Sequence, residues 1–357
     1  MTAWNAHPQI LSPVGRPLAD ILEPGPRRQD LPGFEPVYRD FVDYIMRCTH
    51  RIWEEKNIGL CRSHYGDDCT MHTLAGPAVG ADAVTQGTIA ALAMSSDRQV
   101  IGEDVIWSED ADGRLYSSHR ITSQMTHMGD DAMLGPATLR GTGVTTIADC
   151  ACRENRIVEE WLVRDNWRAV AQVGGDPWAL AQAQATADRE GDTRRHAWRA
   201  QSIAAIRAGG DCPIPTDHPA AIPAALLADA FRHDLYGDAA ARLSPSAEIR
   251  WPSNRHGFGR GYWIGCATQL RGLLHAAAFQ LQHIAARPLP AGDIAVALRW
   301  ALTGHHRSPG LWGPATNREI LILAVSHYRL RASSILEDIT VFDELAILRQ
   351  IAGGLGA

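Results

Sequence analysis

Two aspartates at matching points of the sequence are the first candidates for chemistry. Asp165 ends the segment Ile157–Asp165 and Asp343 ends Ile335–Asp343, and on a β-strand each would share its face with a mostly apolar stripe. Burial against apolar surface raises the pKa of a carboxyl group, which can then take up and return a proton near neutral pH. The alternative is structural: each aspartate caps the helical segment that follows it.

An internal repeat connects the two aspartates. The run Gly-Pro-Ala-Thr at 135–138 recurs at 313–316, and at this offset His127 is matched by His305. The ungapped alignment of 127–172 with 305–350 contains 12 identities in 46 positions. Since chance would give roughly 3, the sequence predicts the duplication of one domain.

The repeat divides the chain into four parts. We expect an N-terminal arm over 1–34, a first domain over 35–175, a helical linker over 176–219 and a second domain over 220–357. The linker is expected to be helical because its first part is rich in Ala, Gln and Arg and has few helix breakers.

Each copy is predicted to place helices first and a long antiparallel run of strands after them, which is an α+β plan. The first copy is predicted to contain helices over 37–56 and 82–94, a short helix up to His64, and strands over 68–74, 100–107, 115–128, 141–152 and 157–165. The second copy is predicted to contain helices over 224–236 and 262–287 and strands over 247–251, 293–303, 318–330 and 335–343.

The order and spacing of the motifs resemble the SnoaL-like polyketide cyclases of the nuclear-transport-factor-2-like superfamily. The motifs are Thr126-His127-x-Gly129, Gly-Pro-Ala-Thr at 135–138, Ile157-x-Glu159-x-Trp161-x-x-x-Asp165 and Gln172-Val173-Gly174. The resemblance covers 35–175 and, more weakly, the second copy. There it is carried by His305, the second Gly-Pro-Ala-Thr run, Glu337, Asp343 and Gln350.

This resemblance implies two tandem cone-shaped domains, each a curved antiparallel sheet wrapped around three N-terminal helices, with a pocket in the open end. It implies that Asp165, and Asp343 in the second copy, act as general acid and base in an aldol ring closure without metal or cofactor. His127 and His305 match the family's histidine and are expected to line the pocket or orient the aspartate. The alternative for each histidine is a hydrogen-bonded core residue.

Further residues lie on elements that line the pocket in that family, and each has ordinary core packing as its alternative. They are Trp53, His64, His72, Trp107, His119, Arg120 and Trp161 in the first copy, and Trp251, His256, Trp263, Arg299 and Trp300 in the second. The second copy departs from the family pattern, since Ile339 replaces the tryptophan and Thr-Gly-His-His at 303–306 replaces Thr-His-x-Gly.

Composition narrows the classes of function. A net charge of −6 argues against nucleic-acid binding, and the sequence has no run of 18 apolar residues to span a membrane. Residues 1–36 lack the apolar run of a signal peptide, so the seven cysteines are expected to be reduced thiols in the cytoplasm. Cys150 and Cys152 have no second ligand pair at metal-binding spacing, and we expect neither metal nor cofactor.

Two classes of function remain open. The first is a cofactor-independent enzyme that moves a proton on a small carbonyl-containing or polyketide-like substrate, as an aldol-type cyclase, isomerase, hydrolase or lyase. The second is a non-catalytic module that binds a small apolar or aromatic molecule or serves assembly, with the two domains paired within one chain as a covalent pseudo-dimer. Further association of chains is compatible with both.

Overall fold

The chain forms two compact units. The computed structural model describes residues 13–14, 16–110, 112–131, 134–188 and 193–353. Unit 1 comprises Met1–Thr73, Pro77–Arg164 and Ala169–Gly175, and unit 2 comprises Leu74–Gly76, Asp165–Arg168 and Asp176–Ala357. The predicted linker and the four residues that begin at Asp165 are thus grouped with the second half of the chain. Residues 1–12 of the predicted arm lie outside the described residues, as do 189–192 of the linker.

The sheet of unit 1 has six strands. They are β1 (Tyr65–His72), β2 (Ala78–Val79), β3 (Gln99–Glu109), β4 (Leu115–Thr126), β5 (Gly141–Arg153) and β6 (Arg156–Arg164). Their order is β2-β1-β6-β5-β4-β3, in which β3 to β6 form an antiparallel meander. The sheet is antiparallel, as predicted, except at one pair, in which β1 runs parallel to β6. A helix and four strands separate these two in sequence, which provides the long crossover that a parallel pair needs.

Helices cover one side of this sheet. They are α1 (Leu18–Leu22), α2 (Phe41–Trp53), α3 (Cys61–His64) and α4 (Ala81–Met94); α5 (Asn166–Gln172) follows β6. Helix α2 begins where Asp40 caps it by accepting a hydrogen bond from the Asp43 N–H at 2.8 Å. Its buried apolar residues pack with Val105, Leu115 and Cys150 of the sheet. The side of the sheet that carries these three residues is called the helix-facing side below.

Unit 2 repeats the plan. Its strands are β7 (Leu243–Trp251), β8 (Arg255–Phe258), β9 (Leu274–Pro288), β10 (Ile294–His306), β11 (Arg318–Arg331) and β12 (Ser334–Phe342). The order β8-β7-β12-β11-β10-β9 matches that of unit 1, including a parallel pair, β7 with β12. Its helices are α6 (Pro177–Asp188), α7 (Thr193–Ala208), α8 (Ala221–Phe231), α9 (Tyr236–Ala240), α10 (Gly259–Arg271) and α11 (Glu344–Ala352).

One predicted helix of unit 2 is wrong over half its length. The segment 262–287 was expected to be one helix, but α10 ends at Arg271 and 274–288 form β9. Helix propensity is high there because 275–286 are rich in Ala and contain neither Gly nor Pro. Pairing with β10 from Leu274 to Pro288 overrides that local preference, since strand formation depends on the neighbouring strand.

The duplication extends to individual hydrogen bonds. Gln172 Oε1 accepts from the Gly143 N–H at 2.7 Å, and Gln350 Oε1 accepts from the Leu321 N–H at 2.8 Å. Each helix after the second strand also begins beside a glycine of positive φ, Gly80 or Gly259. A Cβ at either glycine would lie 2.8 Å from a carbonyl oxygen. The predicted α+β architecture in two copies is confirmed by these matching sheets.

Candidate functional site

Both predicted aspartates are buried helix caps. Asp165 Oδ1 accepts from the Arg168 N–H at 3.2 Å, and both of its carboxylate oxygens lie 3.1 Å from the Ser253 N–H. Asp343 Oδ1 accepts from the Ala346 N–H at 3.1 Å. The capping interpretation is therefore confirmed for both residues. Burial nevertheless raises the pKa of Asp165 to about 6, against the hydrogen bonds from Ser253 and Arg168.

The carboxylate of Glu344 lies near Asp165, and both of its oxygens accept hydrogen bonds. The Ser253 hydroxyl donates to Glu344, Arg255 Nη2 lies 2.8 Å from Glu344 Oε1, and the Trp312 indole N–H donates to the same oxygen at 2.7 Å. The charge of Glu344 adds to the rise in the pKa of Asp165. The oxygens of Glu344 thus have partners, while the Asn166 Oδ1 and Arg168 Nε atoms beside Asp165 are buried without a hydrogen-bond partner among the described residues.

The two histidines of the repeat do not occupy equivalent places. His127 Nδ1 lies 3.2 Å from Thr138 Oγ1, and the counterpart of this pair is His306 with Thr316, at 3.1 Å. Both His127 and His306 are fully buried. His305 instead faces the other side of β10 and is opposite Glu319 of β11. The match of His127 with His305 is displaced by one residue, because the second histidine–threonine loop is one residue shorter.

The predicted lining residues of unit 1 lie on both sides of its sheet. Trp107 and His119 are on the helix-facing side, where the Trp107 ring meets Phe41 at 6.2 Å. Burial lowers the pKa of His119 to about 4, so its imidazole is neutral. Arg120 is on the opposite side and pairs with Glu103 at 2.8 Å.

His72 and Trp161 form a cluster on that opposite side. The His72 ring stacks on the Trp161 ring at 5.0 Å, and His72 Nε2 lies 2.9 Å from Glu159 Oε1.

Of the remaining predicted residues, Trp53 lies 4.6 Å below the Arg98 guanidinium and His64 Nε2 contacts the Tyr38 hydroxyl at 2.7 Å. Of the predicted residues on strands, Trp107 and His119 thus lie on the helix-facing side, and His64 of α3 packs against Tyr38 and Tyr44 of the same core cluster.

The predicted residues of unit 2 lie mostly in its packed core. Trp251 meets Phe342 edge to face at 6.2 Å, and Trp300 stacks on Phe231 at 5.3 Å. Arg299 is buried on β10, while His256 is exposed and pairs with Glu248 at 3.0 Å. The Trp263 indole N–H donates to Asp338 at 2.8 Å, and it is the clearest polar contact within this set.

Sequence reasoning missed the acid of the helix-facing side, Glu160. Glu160 pairs across β5 with Cys150, which is opposite Ser117 of β4, and Ser117 is opposite Trp107 of β3. These four side chains therefore form one row on one side of the sheet. Glu160 is 4 % exposed, and its Oε2 is buried without a hydrogen-bond partner in the described part of the chain. Burial raises its pKa to about 7, against the effects of Arg164 and a hydrogen bond from Tyr65.

Further polar atoms on this side also have no hydrogen-bond partner among the described residues. They are Ser117 Oγ, His119 Nε2 and Thr146 Oγ1, all of them buried. Buried polar atoms are rarely left without a partner, and such exceptions often mark a functional site. The helix-facing side of unit 1 thus presents a carboxyl group, two hydroxyl groups and a neutral imidazole that can all take a further hydrogen bond.

The position that matches Glu160 in unit 2 is Asp338. Its Oδ2 accepts from Trp263, and its Oδ1 accepts from the Thr340 hydroxyl at 2.6 Å. Ser326 contacts Thr340 at 2.7 Å and accepts from the Trp300 indole N–H at 2.9 Å. Burial raises the pKa of Asp338 to about 6, against the hydrogen bonds from Thr340 and Trp263. The same position is thus acidic in both units. In unit 2, Trp263 and Thr340 donate to the two carboxylate oxygens of Asp338, whereas Glu160 in unit 1 has no equivalent pair of donors among the residues that the structure describes.

One signal in the sequence could have found this pair. Glu160 and Asp338 lie at the offset of the repeat and are both acidic, but they are not identical and so do not appear among the matches.

Among the described residues, no group of three or more His, Cys, Asp or Glu side chains could hold a metal ion. No helix in the described part of the chain is long and apolar enough to cross a membrane.

No family model and no curated protein matches the chain. Solved structures that match include IdmH of Streptomyces antibioticus, a proposed polyketide cyclase. It is 24 % identical with a TM-score of 0.31, over 38 % of this chain and 98 % of that chain. A proposed SnoaL-like polyketide cyclase of Jannaschia sp. CCS1 is 17 % identical with a TM-score of 0.32, over 40 % and 98 %. TsrD of Streptomyces laurentii is 16 % identical with a TM-score of 0.33, over 38 % and 96 %.

Proposed function

We propose that the chain is a cofactor-independent acid–base enzyme that moves a proton on a small carbonyl-containing molecule, with Glu160 as the proton-carrying group. The motif resemblance to the SnoaL-like cyclases supports this class of reaction. The observation that carries the assignment of the group is the buried, unpartnered Oε2 of Glu160 on the helix-facing side of unit 1.

The surroundings of Glu160 suit proton transfer. A carboxyl group with a pKa near 7 is present in both protonation states at neutral pH, so it can accept a proton and return it. Low-dielectric surroundings also strengthen its interaction with a substrate dipole. In the proposed reaction the carboxylate removes a proton from the carbon next to a carbonyl group, and the carboxylic acid then protonates the oxygen formed in the ring closure.

The Ser117 hydroxyl group provides the other half of the site. Ser117 lies two strands from Glu160, which corresponds to roughly 10 Å between backbones at about 4.8 Å per strand. A molecule of one or two rings spans that distance. The hydroxyl group of Ser117 would then donate to the carbonyl oxygen as negative charge develops on it.

Asp165 is the alternative acid–base group, and the motif resemblance is its support. Its two oxygens already accept hydrogen bonds from Ser253 and Arg168, which reduces their capacity to take a substrate proton. The two assignments differ in the expected pH profile. A general base acts in its ionised form, so the rate should rise with pH through about 7 for Glu160 and through about 6 for Asp165.

Exchange of carbon-bound protons for deuterium tests the proposal without knowledge of the natural substrate. A panel of ketones and cyclic 1,3-diketones is incubated with the protein in D2O, and loss of the α-proton signal is followed by NMR. Glu160→Gln should reduce the protein-dependent rate by about 100-fold or more. The matched control is Glu159→Gln, which removes the neighbouring carboxylate on the opposite side of the sheet and should leave the rate unchanged.

The outcomes separate the alternatives. Loss of exchange in Asp165→Asn with full activity in Glu160→Gln would transfer the role to Asp165. Wild-type exchange that neither substitution reduces would contradict acid–base catalysis by either carboxyl group.

For unit 2 we propose a structural, non-catalytic role. Trp263 and Thr340 engage both carboxylate oxygens of Asp338, and Trp263 and Trp300 are completely buried. We assign a structural role to Asp338 because both of its carboxylate oxygens already accept hydrogen bonds inside a packed core. Asp338→Asn should accordingly leave the exchange rate unchanged in the folded protein.

A further inference from the structure

A cavity in unit 2 lies apart from the acids discussed above. It is lined by Leu74, Ala185, Asp188, Arg195, His196, Arg199, Ala346, Arg349, Gln350 and Gly353, and its empty volume is about 450 Å³ with the open mouth included. Helices α6, α7 and α11 supply most of this lining.

The charged groups in this lining are mostly cationic. Among the described residues of the lining, three guanidinium groups and one carboxylate, that of Asp188, give a net charge of +2 before His196 is counted. Arg195 Nη1 lies 2.6 Å from Asp188 Oδ2, and Arg349 also pairs with Asp188. Although burial opposes it, hydrogen bonds from Arg349 and Arg195 hold the pKa of Asp188 below its ordinary value. One carboxylate is thus shared by two of the three arginines.

Arg199 is the third arginine of the lining, and it does not take part in the ion pairs of Asp188 with Arg195 and Arg349. It is half-buried, and no ion pair or hydrogen bond joins its side chain to any other residue that the structure describes. Burial and the positive charge of Arg195 lower its pKa, against the more weakly acting carboxylates of Glu319 and Asp188. The Nδ1 atom of His196, in the same lining, is also buried without a hydrogen-bond partner.

We propose that this cavity binds an oxyanion, a carboxylate or phosphate group carried on a short apolar body, with Arg199 and His196 as its recognition groups. An anion would supply the partner that Arg199 lacks, and a guanidinium group binds carboxylate and phosphate oxygens through paired N–H donors. Leu74, Ala185 and Ala346 would contact the apolar body. The inference is independent of the proposed catalysis, since it uses none of the residues assigned to it.

Calorimetric titration at low salt tests the proposal with defined probes. Octyl phosphate and octanoate represent the two sources of the oxyanion, inorganic phosphate tests the contribution of the apolar body, and octyltrimethylammonium tests the sign of the charge. At least one of the two octyl anions should bind saturably at one site per chain, at least tenfold more tightly than inorganic phosphate. The cation should not bind. Whichever octyl anion binds more tightly identifies the head group.

The matched variants are Arg199→Gln and Arg194→Gln, which remove one guanidinium group each from the same helix. Arg194 is exposed and is not part of the cavity lining. Arg199→Gln should weaken binding of the octyl anion at least tenfold, while Arg194→Gln should leave it unchanged, with thermal melting confirming that both variants are folded. Absence of saturable binding to the wild type, or equal weakening in both variants, would overturn the proposal.

Discussion

The two units share one strand order but differ in what covers the acid on the helix-facing side. In unit 1, Glu160 has a buried oxygen without a partner, whereas in unit 2 Asp338 accepts from both Trp263 and Thr340. The helices account for much of this difference. Trp263 is the fourth residue after Gly259, and the fourth residue after the matching Gly80 is only a valine, Val84.

The strands show the same trend. Ser117 is opposite Cys150 in unit 1, and the matching pair in unit 2 is Val296 with Tyr328. The helix-facing side of unit 2 is therefore filled by larger or apolar side chains, although the Tyr328 hydroxyl there is also buried without a hydrogen-bond partner among the described residues. An unsatisfied carboxyl group costs more stability than an unsatisfied hydroxyl group, so unit 1, which retains one at Glu160, is the better candidate for function, and unit 2 is the better candidate for a stabilising role.

The largest effect on this comparison is expected from removing the indole of unit 2. Trp263→Ala deletes a fully buried side chain and leaves Asp338 without one of its donors, and it should lower the free energy of unfolding by about 3–5 kcal/mol. Val84→Ala at the matching position of unit 1 removes far less volume and should cost about 1 kcal/mol. Chemical denaturation of each variant measures both values. Equal losses would show that the two interiors are packed alike.

Neutralising the two acids should have effects of opposite sign. The pKa of Glu160 is raised from 4.5 to about 7, so its contribution to stability is fully present below about pH 4.5 and is lost as the pH rises through 7. At pH 8, Glu160→Gln should therefore stabilise the protein by at least about 1 kcal/mol, since one pKa unit corresponds to about 1.4 kcal/mol.

At Asp338, whose pKa burial raises to about 6, removal of the charge also has a stabilising part, but the lost hydrogen-bond acceptor outweighs it, so Asp338→Asn should destabilise the protein by about 1–3 kcal/mol. An amide offers one acceptor where two donors, from Trp263 and Thr340, now find one each. Denaturation curves at pH 5 and pH 8 check both variants. A stabilising Asp338→Asn would indicate that the charge of this acid matters more than its hydrogen bonds.

The capping aspartates should lose similar amounts of stability when replaced. Asp165→Ala and Asp343→Ala each remove one side-chain cap of a following helix, and each should cost about 0.5–2 kcal/mol. Thermal melting measures the two losses. A much larger loss for one of them would break the equivalence that the repeat assigns to these positions.

The smallest effect concerns the histidines. His306→Gln interrupts the contact with Thr316 and should cost about 1 kcal/mol, as His127→Gln should through Thr138. His305→Gln, on the other side of β10, should change stability by no more than about 0.5 kcal/mol, as is usual for substitutions away from buried contacts. A larger loss of stability for His305→Gln than for His306→Gln would indicate that His305, and not His306, is the counterpart of His127.

The duplication, the α+β class and most of the helices and strands could be predicted from the sequence, because these depend on local periodicity and on identities at one offset. It also contained the acid at 160 and 338, but along a strand both faces of this segment mix apolar and charged residues. Which face meets the helices is decided by packing between segments far apart in sequence. The tertiary structure was therefore needed to show that Glu160 lies on the helix-facing side and Trp161 on the opposite side. It was also needed to show that His306, and not His305, is the counterpart of His127. The strand at 274–288, where a helix was predicted, likewise forms only by pairing with β10.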